Sequence, residues 1–332
     1  MQGLSAHGIT CIYAGPLDCW LGEQITAAGF QCEHIPFRGL FDLRSHFLLS
    51  RLMRREKVDL IHAHMNPGAF YAQWASQLTG VPWVATWHDM SKAKRHGSAR
   101  RIIAVSNAVH RALLAWNYAP ERVATVHNGV PDCAAIPVPK SAEIRGRLGL
   151  NDAPVISIIA RLDRIKGQDV ALRALAMLKG RRWIFLIVGS TDTPWGWTMQ
   201  ELAKELDIAD RVIFHGHRDD VPSLYARTDT LLAPSRREPL SLTLLEASAF
   251  SLPIVASNVD GIVEAVADGV SAFLVPVEDV GALADRIGIL LDDKSLREAL
   301  GRAGRLHYEA NFSLQKMVDG VMHVYRQAVQ QV

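Results

Sequence analysis

The chain has 332 residues, 49% of them hydrophobic and 21% charged, with a net charge of +2. That length accommodates two α/β domains, and the ordinary composition excludes a disordered or low-complexity chain. No signal peptide and no apolar run of membrane-spanning length is read. The four cysteines (Cys11, Cys19, Cys32, Cys133) lack paired metal spacing, so reduced structural thiols in a cytoplasmic protein are expected.

Charge is uneven along the chain. Residues 1–150 hold 16 Lys+Arg against 10 Asp+Glu, and residues 151–332 hold 20 against 24. A mildly basic front half suits an anionic membrane surface or an anionic substrate. The basic–aromatic interleaving of single-strand binders is missing, so no nucleic acid partner is expected.

The first half alternates strand and helix. Strands are predicted at 9–14, 31–36, 58–64, 83–88, 101–106 and up to 129, and helices at 20–28, 43–56, 68–79 and 107–116. Apolar strands alternating with helices mean a parallel sheet covered on both faces. Prolines at 131, 137, 139 and 154 then break the pattern around a short predicted helix, 142–148, and 136–154 is read as a linker. The alternation restarts with strands at 155–161, 183–189, 211–216, 230–235, 253–257 and 271–276. Helices are predicted at 168–178, 199–206, 241–250, 261–267, 281–291, 295–310 and 314–329. The expected domains are 1–135 and 155–312, with a last helix within 313–332 crossing back to the first.

The stretch from Ser235 to Ala247 organises the chemistry. A buried strand runs into it and a helix runs out, with Glu238 in the turn and Glu246 inside the helix. Such a junction sets a helix N-terminus, with its unpaired N–H groups, at the carboxyl edge of a parallel sheet, where an anion binds. Phosphate oxygens suit the amides and sugar or ribose hydroxyls suit the carboxylates, so the motif asks for a phosphorylated sugar. A turn acid beside a helix-surface acid is the bland alternative.

Arg161 ends a strand, Lys166 follows five residues later, and Gly167 allows tight entry into the next helix. Two cations at a strand's carboxyl end can neutralise a diphosphate and stabilise it as a leaving group. Solvated loop cations are the alternative. No Asp-x-Asp metal pair is found on the cleft side of a strand, and Asp219–Asp220 open a helix.

Arg161, Lys166, Glu238 and Glu246, in this order and spacing, occur with NGV at 128–130, VGS at 188–190, GHRDDVPSLYARTD and VASNVDGIVEAV. Together they resemble the family-four retaining glycosyltransferases of GT-B architecture over nearly the whole chain. The resemblance implies an α/β fold of two Rossmann-like, doubly wound parallel-sheet domains facing across a cleft. It also implies metal-independent, retaining transfer of a hexose from a nucleotide diphosphate sugar co-substrate, with no further cofactor.

By the same resemblance, Arg161 and Lys166 match the diphosphate pair, Glu238 the acid at the donor sugar and Glu246 the acid at the ribose. His88 matches a histidine near that sugar, and Gly189, Arg218, Leu240, Ser241 and Leu242 join the donor-binding set. His62 and His64 are read as alternating faces of their strand, with His64 a weak cleft candidate and His62 in the core. Departures are Leu240 and Ser241 where the family has an aromatic residue and glycine, and Asp260–Gly261 in place of a glycine pair. Ser241 can cap its helix or crowd the phosphate.

Met1 falls inside what the family pattern makes the first helix, so the first strand and its glycine-rich loop are read as missing. On that reading the first half is poorly stable and inactive, while residues from about 155 fold and bind nucleotide. Arg44, Arg51 and Arg55, with Leu48 and Leu52 beside them, share one side of the helix at 43–56 and suggest peripheral contact with an anionic inner membrane face. The expected partners are a nucleotide sugar donor and a saccharide or lipid-linked acceptor in lipopolysaccharide or other envelope polysaccharide synthesis. The rivals are a nucleotide-sugar epimerase or sugar phosphorylase of the same architecture, and a truncated, non-catalytic binding protein.

Overall fold

A computed structural model describes residues 1–39, 42–91, 97–135 and 153–330. The short helix expected at 142–148 lies outside the described residues. The chain divides into two compact units, Met1–His127 with Gln315–Val332, and Asn128–Leu314. Both are α/β with parallel strands only. Among the described residues no helix is long and apolar enough to cross a membrane.

In the first unit, β1 (Ile12–Gly15) pairs with β2 (Gln31–His34), and β3 (Ile61–His64), β4 (Trp83–Trp87), β5 (Arg101–Ala104) and β6 (Val123–Thr125) form a second ladder in that order. Among the described residues, β1 pairs only with β2 and β3 only with β4. Every residue of β4 is buried, as a continuous apolar run predicts for a strand covered on both faces.

Helix Leu43–Arg55 starts where Asp42 accepts from the Ser45 amide at 3.0 Å and from the Arg38 amide at 2.9 Å. The Ser45 hydroxyl, then these amides, hold the Asp42 carboxyl down to about 2. The helix turns Leu49, Leu52 and Met53 into a core with Ile35, Tyr71 and Ala75. The C-terminal helix, Leu314–Gln330, packs Val324 and Ala328 against Val84 and Ile103 of the four-stranded ladder and Val126 just after it.

The second unit is one six-stranded sheet. Its strands are β7 (Val155–Ile159), β8 (Ile184–Val188), β9 (Val212–Gly216), β10 (Thr230–Ala233), β11 (Ile254–Ser257) and β12 (Phe273–Val275), in the order β12-β11-β10-β7-β8-β9. The chain builds outward from β7 to β9, returns to the other side of β7 at β10, and builds outward again. The direction of winding therefore reverses between β7 and β10. In open α/β sheets the crevice beyond the carboxyl ends of two such strands is where ligands bind.

Candidate functional site at the β7–β10 reversal

The loop after β7 runs from Ala160 to Gly167. Asp163 accepts from the Ile165 amide at 2.9 Å and starts a 3-10 turn, Arg164–Lys166. Gly167 closes it with φ 70°, a left-handed conformation that costs glycine little. A Cβ there would also run into the Pro234 carbonyl after β10. The next helix, Gln168–Ala176, opens with buried Gln168, whose amide donates to the Arg161 carbonyl at 2.9 Å and accepts from the Trp195 indole at 3.2 Å. The Asp163 and Gln168 side chains and the close approach of Gly167 to Pro234 fix this loop, and Arg161 and Lys166 ride on it.

The loop after β10 supplies the carboxylates. Glu238 is buried, and its Oε2 accepts from Lys166 Nζ at 2.5 Å. Its carbonyl accepts from the Gly261 amide at 2.9 Å, and its own amide donates to Asp260 at 3.3 Å. Arg161 is exposed and makes no ion pair among the described residues. The two cations of the sequence motif therefore differ: Lys166 is engaged by Glu238, and Arg161 is open to a ligand.

Helix Leu242–Ala249 leaves this loop after Ser241, whose side chain caps nothing. The cap that the sequence allows at Ser241 is not made. Ser241 is buried beside Leu240 and its side chain makes no cap bond, so the leading N–H groups lack that side-chain acceptor. Leu242 is exposed at the first helical position. Thr243 anchors the helix to the end of β7 by donating to the Ile159 carbonyl at 3.2 Å.

Glu246 lies one turn along this helix and accepts from the Tyr225 hydroxyl at 2.7 Å. Burial raises the Glu246 carboxyl above its ordinary value, and the bond from Tyr225 works against that shift. Gly189 follows β8 with φ 147°, where a Cβ would meet the Ala160 carbonyl. Arg218, after β9, is closed by a two-pronged bond to Asp220 at 2.6 and 2.8 Å. A ligand reaches that guanidinium only by sharing or displacing Asp220.

In the first unit, β3 and β4 pair in register and carry three histidines at their carboxyl ends. The expected alternation of His62 and His64 is wrong: residues two apart in a strand share a face, and the two rings stack at 4.3 Å. His62 accepts or donates to the Tyr325 hydroxyl at 2.6 Å and to Thr86 at 2.7 Å. His64 Nδ1 meets His88 Nε2 at 3.1 Å. Enclosure lowers the pKa of all three, His64 to about 4, with the neighbouring His88 ring contributing to the His64 shift.

Sequence reasoning missed Arg236 and Tyr225. Arg236 grips Asp169 through two bonds at 3.0 and 2.8 Å, binds Glu278 at 2.7 Å and donates to the Arg164 carbonyl, so it pins the Lys166 turn from below. It sits inside the very stretch that was singled out, yet no spacing marks an arginine as a clamp for a loop some 70 residues earlier. Tyr225 stands in the GHRDDVPSLYARTD segment, and only the fold brings it to Glu246.

Residues 140–307 match the model of Glycosyl transferases group 1, and residues 3–132 match that of Glycosyltransferase Family 4. A D-inositol 3-phosphate glycosyltransferase of Acidothermus cellulolyticus is 33% identical over 306 residues, covering 82% of this chain and 67% of the relative. A glycosyltransferase structure from Rickettsia africae superposes with a TM-score of 0.91 at 21% identity, covering 99% of this chain and 93% of that one. Anabaena HepE in complex with UDP and glucose gives 0.85 at 21% identity, covering 95% and 91%. With parallel sheets in two Rossmann-like units and these matches across both, the chain belongs to the group 1 glycosyl transferases, with a family 4 first half, and has the GT-B fold.

Proposed function

We propose that the protein is a metal-independent, retaining hexosyltransferase using a nucleotide diphosphate sugar, with a saccharide or lipid-linked acceptor of the cell envelope. The observation that carries this reading is the pairing at the winding reversal of an open cation, Arg161, with a Lys166–Glu238 ion pair, beside a helix start that lacks a side-chain cap. Arg161 and Lys166 take the diphosphate and Glu246 accepts from the ribose hydroxyls. Glu238 accepts from the sugar while steering Lys166. Donor binding by HepE, whose structure holds UDP and glucose, supports a UDP-hexose as the first donor to try.

The acceptor hydroxyl oxygen bonds to C1 of the sugar while the bond from C1 to the diphosphate oxygen breaks. The hydroxyl proton passes to the departing diphosphate, whose charge Arg161 and Lys166 hold. Attack and departure on one face keep the anomeric configuration. The place of His88 at the transferred sugar rests on the family resemblance.

A second acceptor reading is a small phosphorylated polyol, favoured by the relatives named for D-inositol 3-phosphate. The deciding experiment incubates the protein with a panel of nucleotide sugars, with and without a lipid-linked saccharide or inositol 3-phosphate, and reads products by mass spectrometry and anomeric configuration by NMR. Transfer with retention to either acceptor is the expected result. Acceptor-free epimerisation, or release of sugar 1-phosphate only with inorganic phosphate, would replace the reading by one of its rivals.

A further inference from the structure

Helix Leu43–Arg55 buries Ser45, Leu49, Leu52 and Met53, and the opposite arc is left to solvent. Leu48 is half-buried and Leu52 is core, so neither is the apolar partner of the surface arginines that the sequence suggested. That place is taken by Leu43 and Phe47, 78% and 64% exposed. The adjoining helix, Met65–Thr79, adds Trp74 and Leu78 at 47% and 53%. The helices are held together by Arg54, which donates to the Leu78 carbonyl at 3.2 Å, and by the His46 ring lying 5.8 Å from the Trp74 ring.

The charged side chains on these two helices have one sign, and Asp42, just ahead of Leu43, is taken up by Ser45 and the Arg38 amide. Helix Leu43–Arg55 has four arginines and no acid, and helix Met65–Thr79 has no charged residue. Arg55 is already spent on Glu33 and Glu56, at 2.8 Å each. Arg44 and Arg51 are exposed and form no ion pair among the described residues. We propose that this two-helix face, with Leu43, Phe47, Trp74 and Leu78 inserting and Arg44 and Arg51 holding headgroup phosphates, docks the protein on an anionic phospholipid bilayer.

Charge complementarity selects that occupant. A second copy would bring two sets of arginines together with no acid on either helix to meet them, since Asp42 is held by Ser45 and Glu56 by Arg55. An uncharged apolar partner would leave Arg44 and Arg51 unused. A bilayer supplies both needs at once: phosphates at the depth of the guanidinium groups, and an acyl boundary for leucine and phenylalanine with the indole at the interface. The inference rests on the lipid-linked acceptor reading for its purpose, while its test reads binding alone.

The full chain is sedimented with vesicles of equal parts phosphatidylglycerol and phosphatidylcholine, and with phosphatidylcholine alone. The parent is expected to bind the anionic vesicles, and R44E with R51E to lose roughly tenfold or more of that affinity, with an unchanged melting curve. Phe47→Ser with Trp74→Ser is expected to weaken binding while leaving its salt dependence, and Arg55→Ala to change it little. Equal sedimentation of R44E/R51E and parent overturns the assignment. So does a dimer, seen by ultracentrifugation, that Phe47→Ser with Trp74→Ser dissociates. Vesicle binding without transfer to a lipid-linked acceptor upholds the surface and removes the acceptor reading; transfer without vesicle binding does the reverse.

Discussion

Lys166 Nζ donates to Glu238 Oε2 at 2.5 Å, so one ion pair ties the loop after β7 to the loop after β10. Glu238 is buried and Lys166 partly so, which makes the pair asymmetric. Removing the lysine leaves a carboxylate with no cation inside the protein, whereas removing both charges leaves nothing to solvate. Lys166→Ala is therefore expected to destabilise the second unit by about 1–3 kcal/mol. Lys166→Met with Glu238→Gln is expected to recover the melting temperature yet bind nucleoside diphosphate weakly. Arg161→Ala, at an exposed position, should leave melting alone and weaken the diphosphate by about 1.5–3 kcal/mol, the worth of a charge-assisted bond. Melting and calorimetry on the same samples separate the two losses. If the double substitution restores affinity together with stability, the pair is structural only.

Glu246 offers a pH test. Its folded carboxyl titrates above the ordinary value because of burial. Sign follows from linkage: between the unfolded and the folded pKa the native state holds a proton that the unfolded state has lost. Its contribution is present below about 4.5 and is lost as pH rises through the folded value. Tyr225→Phe, which deletes the 2.7 Å bond that favours the carboxylate, should move that loss to higher pH, and Glu246→Gln should abolish it. Glu246→Gln should also weaken free nucleotide and nucleotide sugar alike, while Glu238→Gln mainly slows turnover. Thermal melts across pH, with nucleotide titrations beside them, check both. The division of roles fails if the two variants lose free nucleotide equally.

The histidine row runs the opposite way. His64 is held to about 4 and His62 well below its ordinary value. The stability they contribute is present above about 6.5 and is lost as pH falls through the folded values. The groups bearing on the row are the three rings, Asp89 beside His88, Thr86 and Tyr325. Tyr325→Phe leaves one nitrogen of His62 unpartnered and is expected to cost about 1–2 kcal/mol in the first unit. Histidine NMR titration is the measurement. A His64 that titrates near 6.5 would mean that the row is open to water.

Much of the fold was legible because strands covered on both faces read as unbroken apolar runs. The run predicted at 183–189 is β8 at Ile184–Val188, and that at 155–161 is β7 at Val155–Ile159. Helix Pro194–Glu205 was expected to begin at 199, because Trp-Gly-Trp blurs the apolar period. Its real start is local chemistry: Pro194 at the first position and Thr193 accepting from the Gly196 amide at 3.0 Å. The site was legible as residue types at loop ends. Which groups meet was not, since Lys166 and Glu238 lie 72 residues apart, and Tyr225 and Glu246 lie 21 apart. Strand order decides those meetings, and strand order is a property of the whole sheet.

The contact of Gly167 with the Pro234 carbonyl has a consequence for remodelling the enzyme. Backbone rests on backbone there, so this meeting of the two loops does not depend on the side chains at the start of the next helix. Leu240, Ser241 and Leu242 lie beyond that anchor, and Ser241 holds up no cap. On the proposed reading, substitutions at those three positions are expected to change donor preference while the two loops stay in place. Gly167 is a fixed hinge pin, where even alanine would wedge the two loops apart.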